Sequence, residues 1–213
     1  MTPAILPLGN PEHPLFILAH GAGADGRSEF MSAMAEMLVE RGLYVVRFNF
    51  PYMIKREQDG KKRPPDRAPV LLQHYAEVIA GLNRPCVIGG KSMGGRMASL
   101  LANDADQTEL FTDHIKGCAC LGYPFHPPGK PDKLRTSHLE AVNVPVLIAQ
   151  GSRDTMGNKE EVSDYPLDQQ LQLLWLEDGN HDLKPRKASG FTQEQHMATA
   201  ADAVAEFVKN CLD

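Results

Sequence analysis

Several things are scarce in this chain, and each absence narrows its identity. No run approaches the ~20 apolar residues needed to cross a bilayer. Positive charge is in deficit, with 22 Lys and Arg against 27 Asp and Glu and a net charge of -5 at pH 7. A surface of that balance does not attract nucleic acid or an anionic membrane, so neither is expected as a partner. Cysteine is limited to Cys86, Cys118, Cys120 and Cys211, with no C-x-x-C pair of the kind that holds zinc. They read as reduced, mostly buried thiols. The opening Met1-Thr2-Pro3-Ala4-Ile5-Leu6-Pro7 has no basic segment and is broken by prolines, which makes it a poor secretory leader. A cytoplasmic protein is the expectation. No internal repeat or long linker divides the chain, so 1–213 is expected to form one domain.

What is present is alternation. Apolar runs of strand length fall at 15–19, 44–50, 85–89, 115–121, 144–150 and 171–176. Stretches of helical periodicity separate them, such as Phe30, Met34, Met37 and Leu38, or Leu71, Tyr75, Val78 and Leu82. Residues 31, 34 and 37 are all methionine, and at this spacing they read as a core stripe rather than a binding groove. Thr192 with Gln195 predicts a capping box ahead of a final helix. Strands that are apolar at nearly every position are covered on both faces, which predicts a mostly parallel α/β sheet. Segments 51–69 and 123–143, rich in proline and charge, read as loops at the strand carboxyl ends, the edge where such sheets bind ligands.

The sharpest motif is Gly90-Lys91-Ser92-Met93-Gly94, set between a buried strand and a helical stripe. Small residues two before and two after a serine permit the tight strand-to-helix turn that exposes a nucleophile. A serine hydroxyl needs a base, and the base needs an orienting group. Asp154 follows the buried strand 146–150 through Gly151-Ser152-Arg153, and His181 follows the next strand through Glu177-Asp178-Gly179-Asn180. The order Ser…Asp…His is that of the α/β-hydrolase arrangement. Taken singly, Asp154 also suits a helix cap and His181 an exposed loop; order, spacing and strand context together favour a triad. Asp178 and Asp182 flank His181, but neither follows a buried strand. An oxyanion hole would take the backbone N–H of Met93 and one N–H from His20-Gly21-Ala22-Gly23, with Ala22 the choice.

Other motifs compete less well. Gly21-Ala22-Gly23-Ala24-Asp25-Gly26 spells G-x-G-x-x-G, yet the next strand ends in Phe48-Asn49-Phe50 without the acidic residue that holds a ribose. Gly90-Lys91-Ser92 lacks the upstream glycine of a P-loop, since that position is Pro85. His126, His138 and His181 have no metal-type spacing, so neither metal nor cofactor is expected. A catalytically silent interaction protein on the same fold is the remaining alternative.

Together, HGAGAD, GGKSMGGRMAS, LGYPFHPPGKPDKLR, GSRDTMG and GNHD resemble a small branch of the α/β-hydrolase superfamily. That branch includes bacterial predicted hydrolases, a testis-expressed mammalian protein and a subunit of the NSL chromatin complex. In size the chain is also similar to dienelactone hydrolases. The resemblance implies a three-layer α/β/α sandwich with a mostly parallel sheet of about six or seven strands and no large cap domain. It implies Ser92 as nucleophile, Asp154 as acid and His181 as base, and no particular substrate. The expected activity is hydrolysis of a small carboxylic ester or thioester. Within the loop 123–143, His126, Lys130, Arg135 and His138 are the candidates for holding an anionic acyl group, against the alternative that they are solvated or structural charges.

Overall fold

The computed structural model describes residues 3–103 and 114–213; Met1 and Thr2, at the head of the segment read for a leader, lie outside it. Among the described residues seven strands form one sheet: β1 (Ile5–Leu8), β2 (Leu15–Ala19), β3 (Tyr44–Phe48), β4 (Cys86–Lys91), β5 (Ile115–Leu121), β6 (Val146–Gly151) and β7 (Gln172–Leu176). Their order is β1-β3-β2-β4-β5-β6-β7, and every pairing is parallel except β1 with β3. Between them run α1 (Glu29–Glu40), α2 (Pro51–Asp59), α3 (Ala68–Leu82), α4 (Met93–Asn103), α5 (Lys159–Ser163) and α6 (Gln193–Leu212).

The period-two alternation of a strand sorts the core into two halves. Leu15, Ile17, Cys86, Ile88, Cys118, Cys120, Val146 and Ile148 point to one face, where α3 and α4 supply Tyr75, Ile79, Met97 and Leu101. Phe16, Leu18, Val87, Ala119, Leu121 and Leu147 point to the other, against Met31, Met34 and Leu38 of α1 and Ala201, Val204 and Val208 of α6. Both faces are covered, which is why these strands are apolar throughout. Met31, Met34 and Leu38 carry the helical stripe into this core.

Two elements were not legible beforehand. β1 is a four-residue edge strand whose Pro7 sits opposite Val46, and an edge tolerates a residue that cannot donate to the ladder. The first half of the expected loop 51–69 is helical: Pro51 occupies the first turn, where no N–H is needed, and Gly60 at φ 68° closes the helix in the left-handed region. Residues 60–67 keep the expected irregular path, as does most of 123–143 apart from one 3-10 turn at Ser137–Leu139. The capping box of Thr192 and Gln195 forms as read.

The strand order matters for the site. The chain lays β3 on one side of β2 and then crosses to lay β4 on the other, so the connections after β2 and β4 diverge and leave a crevice between them. Tyr75 of α3 ties this pair together. Its fully buried hydroxyl lies 2.8 Å from both Ile17 O and Gly89 O and accepts the Gly89 N–H at 3.0 Å. Tyr75→Phe should therefore leave buried backbone groups without partners and lower stability by about 1–3 kcal/mol. Urea unfolding measures this directly; a loss below about 0.5 kcal/mol, the size of an ordinary surface substitution, would contradict the assignment.

Candidate active site

β4 continues through Lys91, and α4 begins at Met93, leaving Ser92 alone to make the turn at φ 52°. The neighbouring glycines explain how so sharp a turn fits. A Cβ on Gly90 would stand 2.5 Å from Ala19 O and 2.7 Å from Gly94 C, and one on Gly94 would stand 2.5 Å from Ala19 O and 2.6 Å from His20 O. The Ser92 N–H donates to Leu121 O at 2.9 Å, while its carbonyl accepts the Arg96 N–H at 3.0 Å. The backbone of the serine is thus fixed on both sides and its side chain lines a cleft of about 600 Å³.

His181 arrives from the loop after β7. Its Nε2 lies 2.7 Å from Ser92 Oγ, and its Nδ1 lies 2.7 Å from Asp154 Oδ2. Asp154 is fully buried, and its other oxygen accepts the Met156 N–H at 2.9 Å. Gln150, at the end of β6, supports the carboxylate: Nε2 is 2.9 Å from Asp154 Oδ2, while Oε1 accepts the Tyr123 N–H at 2.7 Å. With both oxygens engaged, the carboxylate has one orientation and so, through Nδ1, does the imidazole. Ser92, His181 and Asp154 therefore meet in one hydrogen-bonded line. The flanking acids are occupied elsewhere, Asp178 with Arg186 and Arg153, and Asp182 with Lys91.

Lys91 is a contributor that sequence reasoning passed over. Its Nζ donates to the carbonyl of His181 at 2.6 Å and pairs with Asp182 Oδ1 at 3.2 Å, while the residue is 8% exposed. Burial pulls the ammonium below its ordinary value and the Asp182 carboxylate opposes that shift. The variable position of the pentapeptide thus fastens the histidine loop to the serine turn.

On the opposite wall, the loop after β2 carries Gly21 to Ala24 along the cleft. His20 is fully buried, and its Nε2 accepts the Phe50 N–H at 3.0 Å. Nδ1 must then carry the proton and donates to Gly21 O at 2.7 Å. Tyr52 Oη lies 3.1 Å from Ala22 O and 3.3 Å from Gly21 O, so its single proton is shared between them. Asn49 Oδ1 accepts the Gly26 N–H at 2.7 Å. The residues just after β3 and opening α2 therefore shape the glycine-rich loop, and the position after β3 is held by Asn49 rather than by an acid. Met93, the first residue of α4, has no acceptor one turn back within the helix for its N–H. Met93 and Ala22 both line the cleft.

Of the four loop residues expected to meet substrate, Arg135 lines the cleft and the others do not. His126 is 2% exposed, with Nδ1 on Pro127 O at 2.9 Å and Nε2 facing Glu161 at 3.5 Å. His138 packs its Nε2 against Ser99 Oγ at 2.9 Å and Tyr123 Oη at 3.3 Å. Lys130 is exposed. The histidines turn inward because their loop folds back on the protein. Among the described residues no three His, Cys, Asp or Glu side chains cluster as metal ligands, and no helix is long and apolar enough to cross a membrane.

The neutral state of His20 has a thermodynamic consequence. Burial pushes its pKa from 6.5 down to about 4, with the Gly21 hydrogen bond opposing. The unfolded chain takes up a proton below its ordinary pKa while the folded protein does not until about 4. Stability must therefore fall as pH drops through that window, by at most about 3 kcal/mol. His20→Gln, which keeps an acceptor and a donor, should flatten the fall when urea midpoints are compared at pH 7 and 5. Parallel slopes for both proteins would contradict this.

A family model described as alpha/beta hydrolase domain matches residues 12–209. Among solved structures, a monoacylglycerol lipase from Paleococcus ferrophilus is similar at TM-score 0.69 and 15% identity, covering 99% of this chain and 100% of that one. A dienelactone hydrolase from Anabaena variabilis is similar at 0.68 and 18%, covering 97% and 91%. Est1E from Butyrivibrio proteoclasticus, with ferulic acid bound, is similar at 0.66 and 18%, covering 98% and 95%. At these identities the likeness is one of fold; the narrower testis-expressed and NSL-subunit branch rests on the sequence motifs alone. The match across nearly the whole length, joined to a seven-stranded sheet with helices on both faces, makes this chain a member of the alpha/beta hydrolase domain family.

Proposed function

We propose that this protein is a serine hydrolase that cleaves a small carboxylic ester or thioester through an acyl-enzyme on Ser92. The observation that carries the reading is the line from Ser92 Oγ to His181 Nε2 and from Nδ1 to Asp154 Oδ2, each link 2.7 Å, opening onto the cleft. A hydroxyl at that distance from a neutral imidazole can pass its proton to Nε2 as Oγ bonds to the carbonyl carbon. The carbonyl oxygen then carries the negative charge, and the N–H groups of Met93 and Ala22 are the donors assigned to it, worth about 3 kcal/mol each in the transition state. Collapse of the tetrahedral species breaks the bond to the alcohol or thiol, which leaves with the proton from Nε2. Water repeats the cycle on the acyl-enzyme, giving its proton to Nε2 and releasing the acid and Ser92.

Asp154 holds the imidazole with Nδ1–H inward and stabilises the imidazolium without taking the proton. Lys91 and Gln150 act through the residues they hold and are positioning residues. Membership of a hydrolase family supports the reaction class. The four unbridged cysteines support the cytoplasmic location.

Ser92→Ala should lower kcat on p-nitrophenyl esters by about 10⁴-fold or more while leaving the melting temperature near that of the parent. His181→Ala should match it, and the double variant should be no worse than either, because the two act as a unit. An unchanged rate in Ser92→Ala would end the proposal and leave a non-catalytic interaction protein as the better account.

A further inference from the structure

Among the described residues, two arginines stand in the cleft without counter-ions. Arg96 lies one turn along α4 from Ser92 and Arg135 lies on the loop after β5, and both line the cleft that contains the nucleophile. Among the described residues no carboxylate comes within ion-pair distance of either guanidinium, while the neighbouring Lys91 has its own partner in Asp182. Arg96 Nε is buried and has no hydrogen-bond partner. An unpaired buried donor on a cation is costly, and among the described residues neither a salt bridge nor a backbone carbonyl meets this Nε.

The backbone beneath these side chains is firmly held. The Arg135 N–H donates to Phe125 O at 2.8 Å, and the Arg135 carbonyl accepts the Tyr123 hydroxyl at 2.9 Å. The Arg96 N–H donates to Ser92 O at 3.0 Å, and its carbonyl accepts from Ser99 Oγ at 2.9 Å. The two charges also sense each other. The Arg135 guanidinium is held below its ordinary value first by burial and then by the Arg96 charge. Like charges held close in a partly dry cleft are relieved by an anion between them.

We infer that Arg96 and Arg135 form an oxyanion-recognition subsite beside Ser92, and that the substrate is an ester or thioester bearing a carboxylate or phosphate group. This rests on the serine-hydrolase reading and gives it a substrate class. Planar guanidinium groups suit either anion, since each offers paired N–H donors to paired oxygens. The cleft also contains Asp66, whose Oδ2 is buried without a partner, but among the described residues Asp66 pairs with neither arginine. It is the group that a cationic substrate would seek instead.

The test is a matched panel of neutral, carboxylated, phosphorylated and cationic esters with the same leaving group, with the charge placed on the acyl or on the alcohol side. The expected result is a kcat/KM for one anionic class about 10- to 100-fold above its neutral isostere, expressed mainly in KM. Added salt should shrink that ratio. Arg135→Gln should reduce the anionic-to-neutral ratio about tenfold or more, with Arg135→Lys recovering part of it. Arg96→Gln should act in the same direction, and Arg135→Gln decides the matter if that variant fails to fold. Equal kcat/KM across the neutral and anionic esters, or preference for the cationic ester, would overturn the inference. Turnover of the neutral esters through Ser92 keeps the two failures apart: if it persists, only the subsite is wrong, and if nothing turns over, the hydrolase reading itself has failed.

Discussion

The close approach of three backbone segments at the end of β4 controls this molecule. The carbonyl of Ala19 comes so near to Gly90 and Gly94 that a Cβ on either would sit 2.5 Å away. With no side chains in that space, the strand can turn into α4 within a single residue. Ser92 is that residue, and it takes a left-handed φ of 52° that costs a non-glycine residue on the order of 1–3 kcal/mol. The cost is borne by pairings that fix the turn from outside: Ser92 N–H on Leu121 O, and the Tyr75 hydroxyl bridging Ile17 and Gly89. A hydroxyl held in this way points into the cleft and stays there.

The second half of the site is brought to that hydroxyl by carpentry at other strand ends. Gly122 at the end of β5 leaves room for the His181 carbonyl, since a Cβ there would stand 2.6 Å from it. Lys91 then donates to the same carbonyl. Asp154 and Gln150, both on the β6 side, set the imidazole plane. Four loops, after β2, β4, β6 and β7, thus converge on one point: β2 and β4 are neighbours at the crossover in strand order, and β6 and β7 reach it from beyond β5. The sheet and helices supply an apolar frame, and most polar side chains of the candidate site stand on loops at one edge of it.

The meeting of Ser92, Asp154 and His181 was legible in the sequence because each follows the end of an apolar strand, fully buried for Ser92 and Asp154 and partly exposed for His181, where alternation of apolar and polar runs marks both the strand and its end. The three-layer order was legible for the same reason. Lys91 was not, because its partner is the carbonyl of a residue in a distant loop, and carbonyls leave no trace in a sequence. Gln150 and Tyr52 are hidden likewise, their roles depending on Asp154 and on the carbonyls of the loop after β2. The helix α2 went unread because its exposed face carries charges and its ends carry proline and glycine, all of which look like loop. His126 and His138 were misplaced because a segment rich in proline reads as exposed, whereas here it folds inward onto Glu161, Ser99 and Tyr123. Arg96, two residues beyond the pentapeptide that marks the serine, carries no signal of its own in the sequence.

The central claim is that Ser92 Oγ is positioned between an imidazole and two backbone donors, and a crystal structure of the protein after reaction with an organophosphonate tests it most directly. The account predicts phosphorus bonded to Ser92 Oγ, with a phosphoryl oxygen within hydrogen-bond distance of the N–H groups of Met93 and Ala22. Phosphorus bonded elsewhere, or a phosphoryl oxygen turned away from both donors, would contradict it.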